Sequence, residues 1–138
     1  MRVFLDSNVV VSGIAFRGNE HEILRFSFIR GSDLVISDDV KYEVLKVLRE
    51  DFPKLRGDVE EIVSSIRAEV VPRRSYEARL HDFPRLRDPN DAHVLAAALV
   101  AGCDVIATGD RDLLVLGEVE GVRVVRPARV LRELRGVR

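Results

Sequence analysis

Four acidic residues are the side chains of this 138-residue chain best placed to do chemistry: Asp6, Glu43, Asp91 and Asp110. Asp6 and Asp110 each follow a short apolar run of the kind that forms a buried strand. Glu43 and Asp91 fall on predicted helices, where the 3.6-residue period places them at the edge of an apolar face. Carboxylates gathered in one place repel one another unless a cation neutralises them or their pKa values rise. The residue types therefore predict a site for hard divalent ions.

Strand-like and helix-like segments alternate along the chain. Apolar runs predict strands at residues 3–5, 34–36, 70–71, 104–108 and 122–125. Helical periodicity and capping residues predict helices at residues 9–16, 21–30, 37–48, 59–66, 88–101 and 128–134. Strands separated by helices indicate βαβ units, and right-handed crossovers bring the carboxyl ends of parallel strands to one edge, where ligands bind. We expect a three-layer α/β/α fold with a central parallel sheet, formed by a single domain over residues 1–138.

Helix boundaries are predicted from individual residues. Asn8 is placed as the cap of the first helix and Gly18 as its end, while Gly31 is expected to stop the second helix. Ser37 is expected to cap the third helix, and Pro127 occupies a first helical position.

Composition restricts the class of protein. The chain is 46% hydrophobic and 33% charged and has no Trp, a profile typical of a soluble globular domain. No apolar run approaches the roughly 20 residues that a membrane span needs, and Asp6 follows Met1 too closely for a signal peptide. Cys103 is the single cysteine, which excludes a disulfide framework or a Cys-based zinc site within one chain. A cytoplasmic protein with no membrane partner is expected.

Arginine is concentrated in two stretches although the net charge is only −1. Residues 123–138 contain six arginines and one acid, and residues 67–87 contain six arginines and three acids. An acidic centre flanked by such surfaces suits a phosphodiester substrate, whose backbone the arginines would hold. The alternative is a solvated charged surface without a partner.

Each acid also has a simpler explanation. Asp6 could be a turn residue after a strand, Asp88 fits an N-cap with Asp91 in the first turn, and Asp110 and Asp112 could begin a short helix. Glu43 could pair with a neighbouring arginine. Against these explanations stands the coincidence of four acids at four positions that an α/β topology brings together.

The order of four motifs resembles a known family. An apolar strand ends in Asp-Ser-Asn at residues 3–8, and a second strand is followed by a helical acid within residues 34–43. Residues 88–98 read DPNDAHVLAAA and residues 105–114 read VIATGDRDLL. Together these motifs resemble the PIN-domain family, metal-dependent nucleases that include the VapC-type toxins of toxin-antitoxin systems. The set spans nearly the whole chain in the family's order.

The resemblance implies a role for each motif residue. It implies that Asp6, Glu43, Asp91 and Asp110 are catalytic and hold one or two Mg²⁺ or Mn²⁺ ions for hydrolysis of RNA phosphodiester bonds. Four further residues would orient those carboxylates or act as additional ligands: Asn8, Asp88, Thr108 and Asp112. The three histidines, His21, His81 and His93, are interpreted as surface residues.

The resemblance also implies partners, namely an RNA substrate, a small antitoxin protein and a second copy of the chain in a homodimer. A different class of function is a non-catalytic PIN-fold module that binds a partner protein through the same crevice. A phosphoacceptor receiver domain is a third reading. That fold expects a lysine after a late strand, whereas Lys41, Lys46 and Lys54 all come early.

Overall fold

The computed structural model of the protein describes residues 1–29, 33–55 and 57–136. Within these ranges six strands form one sheet: β1 (Arg2–Leu5), β2 (Asp33–Ser37), β3 (Ala68–Val71), β4 (Val105–Ala107), β5 (Glu118–Val119) and β6 (Val122–Val125). Seven α-helices accompany them: α1 (Ser7–Ala15), α2 (Asn19–Ile29), α3 (Asp38–Asp51), α4 (Val59–Ser65), α5 (Ala92–Val100), α6 (Arg111–Leu114) and α7 (Pro127–Leu134). Short 3-10 turns lie at Arg73–Ser75, Glu77–Arg79 and Pro89–Asp91.

The strand order is β3-β2-β1-β4-β6-β5, and every pairing except β5 with β6 is parallel. The chain builds outward from β1 through β2 to β3, and then returns to β4 on the other side of β1. The order of strands therefore reverses between β1 and β4. In open α/β sheets, ligands bind at the carboxyl ends of the strands at such a point.

The helices pack against the sheet, and the protein therefore has a mixed α/β fold with a mostly parallel sheet. This confirms the predicted architecture. One connected group of helices has α1 against α2 and α3, α2 against α7, and α3 against α4, while α5 packs with the 3-10 turns. Right-handed crossovers place α5 on the opposite face, because the chain reverses direction across the sheet before β4. The two central strands, β1 and β4, are buried along residues 3–5 and 105–107. None of the helices in the described part of the chain has the length and apolar character that a membrane crossing requires.

The first helix differs from its predicted limits. It begins at Ser7 and ends at Ala15, so it starts earlier than residue 9 and stops before Gly18. Asp6, rather than Asn8, is its N-cap, because the carboxylate of Asp6 accepts a hydrogen bond from the Ser7 amide. The second helix begins at Asn19, and the predicted stop at Gly31 lies outside the described residues. Ser37 caps α3 through Val40, as predicted.

Of two short elements near the end of the chain, one escaped prediction: α6 is the short helix that Asp110 and Asp112 could begin, whereas β5 was not predicted. The four-residue helix α6 follows β4, and the two-residue strand β5 pairs with β6 through a tight turn. The turn contains Glu120 at φ 47° and Gly121 at φ 88°. Successive left-handed residues suit a two-residue hairpin, although Glu120 is not a residue that favours this conformation.

A clasp joins the long connection after β3 to the start of α3. The Tyr76 hydroxyl donates to Asp39 Oδ2, and Arg73 Nη1 lies 2.8 Å from Asp39 Oδ1. Tyr76 is fully buried; burial and the hydrogen bond to Asp39 raise the pKa of Tyr76 to about 12, so the hydroxyl keeps its proton. Asp39 precedes Glu43 by one helical turn, and the clasp therefore fixes the turn that presents Glu43.

Tyr76→Phe should lower the free energy of unfolding by about 1 to 2 kcal/mol, because it removes a buried hydrogen bond to a carboxylate. Urea denaturation followed by circular dichroism measures the change. Tyr42→Phe is the matched control, since Tyr42 is 69% exposed. Equal effects of the two variants would contradict the role assigned to the clasp.

Candidate metal centre and active site

Asp6 stands at the carboxyl end of β1 and is only 6% exposed. Its Oδ1 accepts from the Ser7 amide at 2.8 Å, and its Oδ2 accepts from Thr108 Oγ1 at 2.7 Å. Burial raises the pKa of Asp6, while the hydrogen bonds from Thr108 and Ser7 act in the opposite direction. The carboxylate is thus buried and oriented at the same time.

Thr108 and Asn8 tie the ends of β1 and β4 together. The fully buried Thr108 donates to Asp6 and accepts from the Asp110 amide at 3.0 Å. Asn8 Nδ2 lies 3.3 Å from Asp6 Oδ2, and Asn8 Oδ1 accepts from the Gly109 amide at 3.4 Å. These bonds fix the position of Asp6 relative to the segment that carries Asp110.

Three carboxylates, those of Asp91, Asp110 and Asp112, offer oxygens that all lie within 4.8 Å of one another. Asp110 is also the N-cap of α6, because its Oδ1 accepts from the Asp112 amide at 2.9 Å. One oxygen of Asp110 therefore caps the helix, and the second has no hydrogen-bond donor among the described residues. The Asp112 carboxylate takes no part in capping and approaches Arg87 Nη1 at 3.6 Å.

Asp91 is the least compensated acid of the group. Within the described ranges its carboxylate receives no hydrogen bond, and it does not cap α5. Burial, followed by the charges of Asp110, Asp88, Asp6 and Asp112, raises the pKa of Asp91 to about 6. A divalent cation bound by oxygen ligands would remove this repulsion, so the donor set suits Mg²⁺ or Mn²⁺.

Glu43 is not a member of the group of three and contacts Ser7 and His93 instead. Its Oε2 accepts from Ser7 Oγ at 2.8 Å, and its Oε1 lies 2.9 Å from His93 Nε2. The hydrogen bond with His93 lowers the pKa of Glu43, in spite of partial burial. The Glu43 side chain is 42% exposed, so an ionised carboxylate remains open to solvent beside Asp6.

The interpretation of His93 as a surface residue was wrong. Its side chain is only 14% exposed, and its Nδ1 is buried without a hydrogen-bond partner in the described structure. Burial lowers the pKa of His93, but the hydrogen bond and charge of Glu43 outweigh burial and raise it. The position of His93 between Ala92 and Val94 in an apolar helix was the only sequence feature that indicated burial. That position does not identify Glu43 as the partner of His93.

Asp88 takes the capping position that one reading of the sequence gave it. Its Oδ1 accepts from the Asn90 amide at 2.9 Å at the start of the Pro89–Asp91 turn. Its charge nevertheless contributes to the raised pKa of Asp91.

Many arginines of the two basic stretches are bound internally. Arg79 pairs with Asp82 and Glu120, and Arg123 pairs with Glu133. Arg126 differs from them: it is exposed, forms no ion pair among the described residues, and directly follows β6. Its neighbour Val125 accepts a hydrogen bond from the Thr108 amide at 3.1 Å, so Arg126 stands at the same sheet edge as the acids.

Comparisons with known proteins agree with this arrangement. A family model described as PIN domain matches residues 2–112. The fold is similar to that of PAE2754 from Pyrobaculum aerophilum, with a TM-score of 0.63 over 99% of this chain and 90% of that one. The two sequences are 19% identical, so this similarity concerns the fold alone. Among curated proteins, none matches the chain in sequence.

The raised pKa of Asp91 predicts how acid stabilises the metal-free protein. The Asp91 carboxyl group binds its proton more tightly in the folded protein than in the unfolded chain. Protonation of Asp91 therefore stabilises the fold fully below the ordinary pKa of 3.8, and this stabilisation is lost as pH rises through about 6. Asp91→Asn removes the repulsion and should raise the melting temperature at about pH 7.5 more than at about pH 4. Thermal unfolding in EDTA measures both differences.

The control is Asp51→Asn, because Asp51 is exposed at the end of α3. Adding Mg²⁺ or Mn²⁺ at neutral pH should stabilise the wild type more than Asp91→Asn, since only the wild type retains the full set of carboxylates. A melting temperature that falls equally in Asp91→Asn at both pH values would contradict the electrostatic account.

Proposed function

The chain belongs to the PIN-domain family, and we propose that it is a divalent-metal-dependent endoribonuclease that hydrolyses phosphodiester bonds of RNA. Members of the family are generally nucleases. The observation that carries the proposal is the Asp91 carboxylate, which lacks a hydrogen-bond donor in the described structure and lies among four other acids. Such a cluster is costly without a cation, and a divalent cation bound there could activate water for phosphodiester hydrolysis.

Asp91, Asp110 and Asp112 are proposed as the nearest metal ligands, with Asp6 beside them. When bound, Mg²⁺ or Mn²⁺ supplies an activated water and neutralises charge on the phosphate and leaving oxygen. Thr108 and Asn8 hold Asp6 in a fixed orientation, as residues behind metal ligands commonly do. Asp88 contributes charge while it caps the turn before α5.

Glu43 is proposed to act as an ionised carboxylate at the solvent side of Asp6. Its hydrogen bonds to Ser7 and His93 fix both oxygens and favour the charged form. In this state Glu43 can orient a water through its Oε2 or accept a proton from it. The proposed catalytic set is thus Asp6, Glu43, Asp91 and Asp110.

We propose further that the enzyme is the toxin of a toxin-antitoxin pair, as its motifs resemble VapC-type sequences. The same resemblance supports a small antitoxin protein and a homodimer as partners. The rival function is a non-catalytic module that binds a partner protein with the PIN fold. The nuclease and the binding module differ in two respects: only the nuclease should bind divalent ions tightly through the acids, and only the nuclease should cut RNA.

Asp6→Asn should reduce cleavage by at least about a hundredfold, because it removes a charge that faces the proposed metal ligands. The measurement uses a panel of structured RNAs incubated with Mn²⁺, with and without EDTA. Asp51→Asn is the control and should cut like the wild type. Cleavage that survives both Asp6→Asn and EDTA would contradict the metal mechanism.

Calorimetric titration with Mn²⁺ distinguishes the proposed metal-dependent nuclease from the non-catalytic binding module. The wild type should show a saturable heat of binding, and Asp110→Asn should lose most of the affinity. A protein that binds no divalent ion and cuts no RNA of the panel would favour the binding module.

Arg126→Ala should weaken RNA binding without changing the divalent affinity, because Arg126 is exposed, forms no ion pair among the described residues and follows β6 at the sheet edge that carries the acids. Loss of one phosphate contact should reduce the slope of log K against log salt by about 0.7. Fluorescence anisotropy with single-stranded RNA in Ca²⁺ measures the slope. Arg49→Ala, at the far end of α3 and paired with Glu60, is the matched control; identical slopes for both variants would contradict the role of Arg126.

A further inference from the structure

We propose that His93 is a positioning residue of the acidic crevice, which holds the Glu43 carboxylate in one orientation relative to Asp91. The inference rests on the proposed function, in which Glu43 acts on a water. His93 is not one of the four acids of the proposed catalytic set and works through one of them. It lies in the first turn of α5, two residues after Asp91, and its side chain is only 14% exposed.

The hydrogen bond between His93 and Glu43 has a fixed direction. His93 Nε2 lies 2.9 Å from Glu43 Oε1. An ionised carboxylate can only accept hydrogen bonds, so Nε2 must carry a ring proton and donate it. The other ring nitrogen, Nδ1, is buried and has no hydrogen-bond partner among the described residues. Donation to Glu43 is therefore the hydrogen bond that the ring makes in the described structure.

An apolar side chain would suit the surroundings of His93 better than an imidazole ring. Its neighbours Ala92, Val94 and Leu95 are all buried in α5. A buried ring nitrogen without a partner is unfavourable, and leucine would fill a similar space without that penalty. The bond to Glu43 is thus what histidine adds at this position.

Glu43 requires a restraint because its carboxylate is both accessible and repelled. The side chain is 42% exposed. Burial is the largest cause of the raised pKa of Asp6, and the charge of Glu43 raises that pKa further, so the two carboxylates repel each other. A long side chain in this situation would turn toward solvent and adopt several rotamers. Ser7 Oγ holds one oxygen of Glu43 at 2.8 Å, and His93 holds the other.

His93 also relates Glu43 to a proposed metal ligand. Asp91 is the N-cap of α5, and His93 is the second residue of that helix. One turn of backbone therefore joins Asp91 to the ring that holds Glu43, although Glu43 and His93 are 50 positions apart in the chain. Loss of a residue that orients carboxylates behind a metal site typically reduces activity about ten- to a hundredfold.

The test compares His93→Leu with His93→Gln in cleavage of single-stranded RNA with Mn²⁺. Leucine fills the space without a donor, whereas the glutamine amide can donate to Glu43 in place of Nε2. In His93→Leu, kcat should fall about tenfold or more, while KM and the calorimetric affinity for Mn²⁺ change less than about twofold. Most of kcat should return in His93→Gln. His81→Leu is the matched control, since His81 is exposed, and it should cut like the wild type.

Two kinetic results count against the positioning role and leave the nuclease intact. One is a kcat in His93→Leu that equals that of the wild type. The other is a loss of kcat that is the same in His93→Leu and His93→Gln, because the donor would then make no difference.

A second measurement depends neither on cleavage nor on the folding of the His93 variants. Nitrogen-15 NMR of the wild type in EDTA should show a proton on His93 Nε2. That signal should shift in Glu43→Gln and stay unchanged in the control Glu50→Gln, because Glu50 is exposed near the end of α3.

The NMR result also separates this inference from the proposed function. If the wild type cuts no RNA, the proposed function fails, and the NMR measurement alone decides whether His93 holds Glu43. A shift confined to Glu43→Gln supports the inference. A bare Nε2, or a signal that does not respond to Glu43→Gln, overturns it.

Discussion

The parallel pairing of β1 with β4 is the contact on which the site depends. It continues past the strands, because the Asp6 amide donates to the Ala107 carbonyl at 3.1 Å and the Thr108 hydroxyl donates to Asp6. The strand order reverses at this pair, so the crevice at its carboxyl end is open rather than covered by a crossover. Asp6 and Asp110 reach the same crevice although 104 positions separate them in the sequence.

The carboxylates of the crevice differ in how many hydrogen bonds they accept from the protein. Asp6 has three donors for its two oxygens, and Glu43 has Ser7 and His93, whereas the Asp91 carboxylate has no donor in the described part of the chain. The result is a crevice in which some carboxylates are held by the protein and one is left to an external cation. That division follows the direction of the pKa shifts, lowered for Glu43 and raised for Asp91.

The sequence predicted strands, helices and caps well where they depend on residues close together in the chain. The central strands follow from apolar runs such as Val3, Phe4 and Leu5, and Ser37 was identifiable as a cap because its partner Val40 is three residues away. His93 and Tyr76 were not identifiable, because their partners lie 50 and 37 residues distant. β5 was missed because a two-residue strand has no period.

A chain of hydrogen bonds passes from Thr108 through Asp6, the backbone amide and hydroxyl of Ser7, and Glu43 to His93, two residues from Asp91. It thereby joins β4, β1, α1, α3 and α5 around the crevice. The rotamers of these carboxylates are restricted when the chain folds, so little conformational entropy remains to be lost when a ligand arrives. The crevice is in this sense preorganised, and the stability of the fold supplies the order that binding would otherwise require.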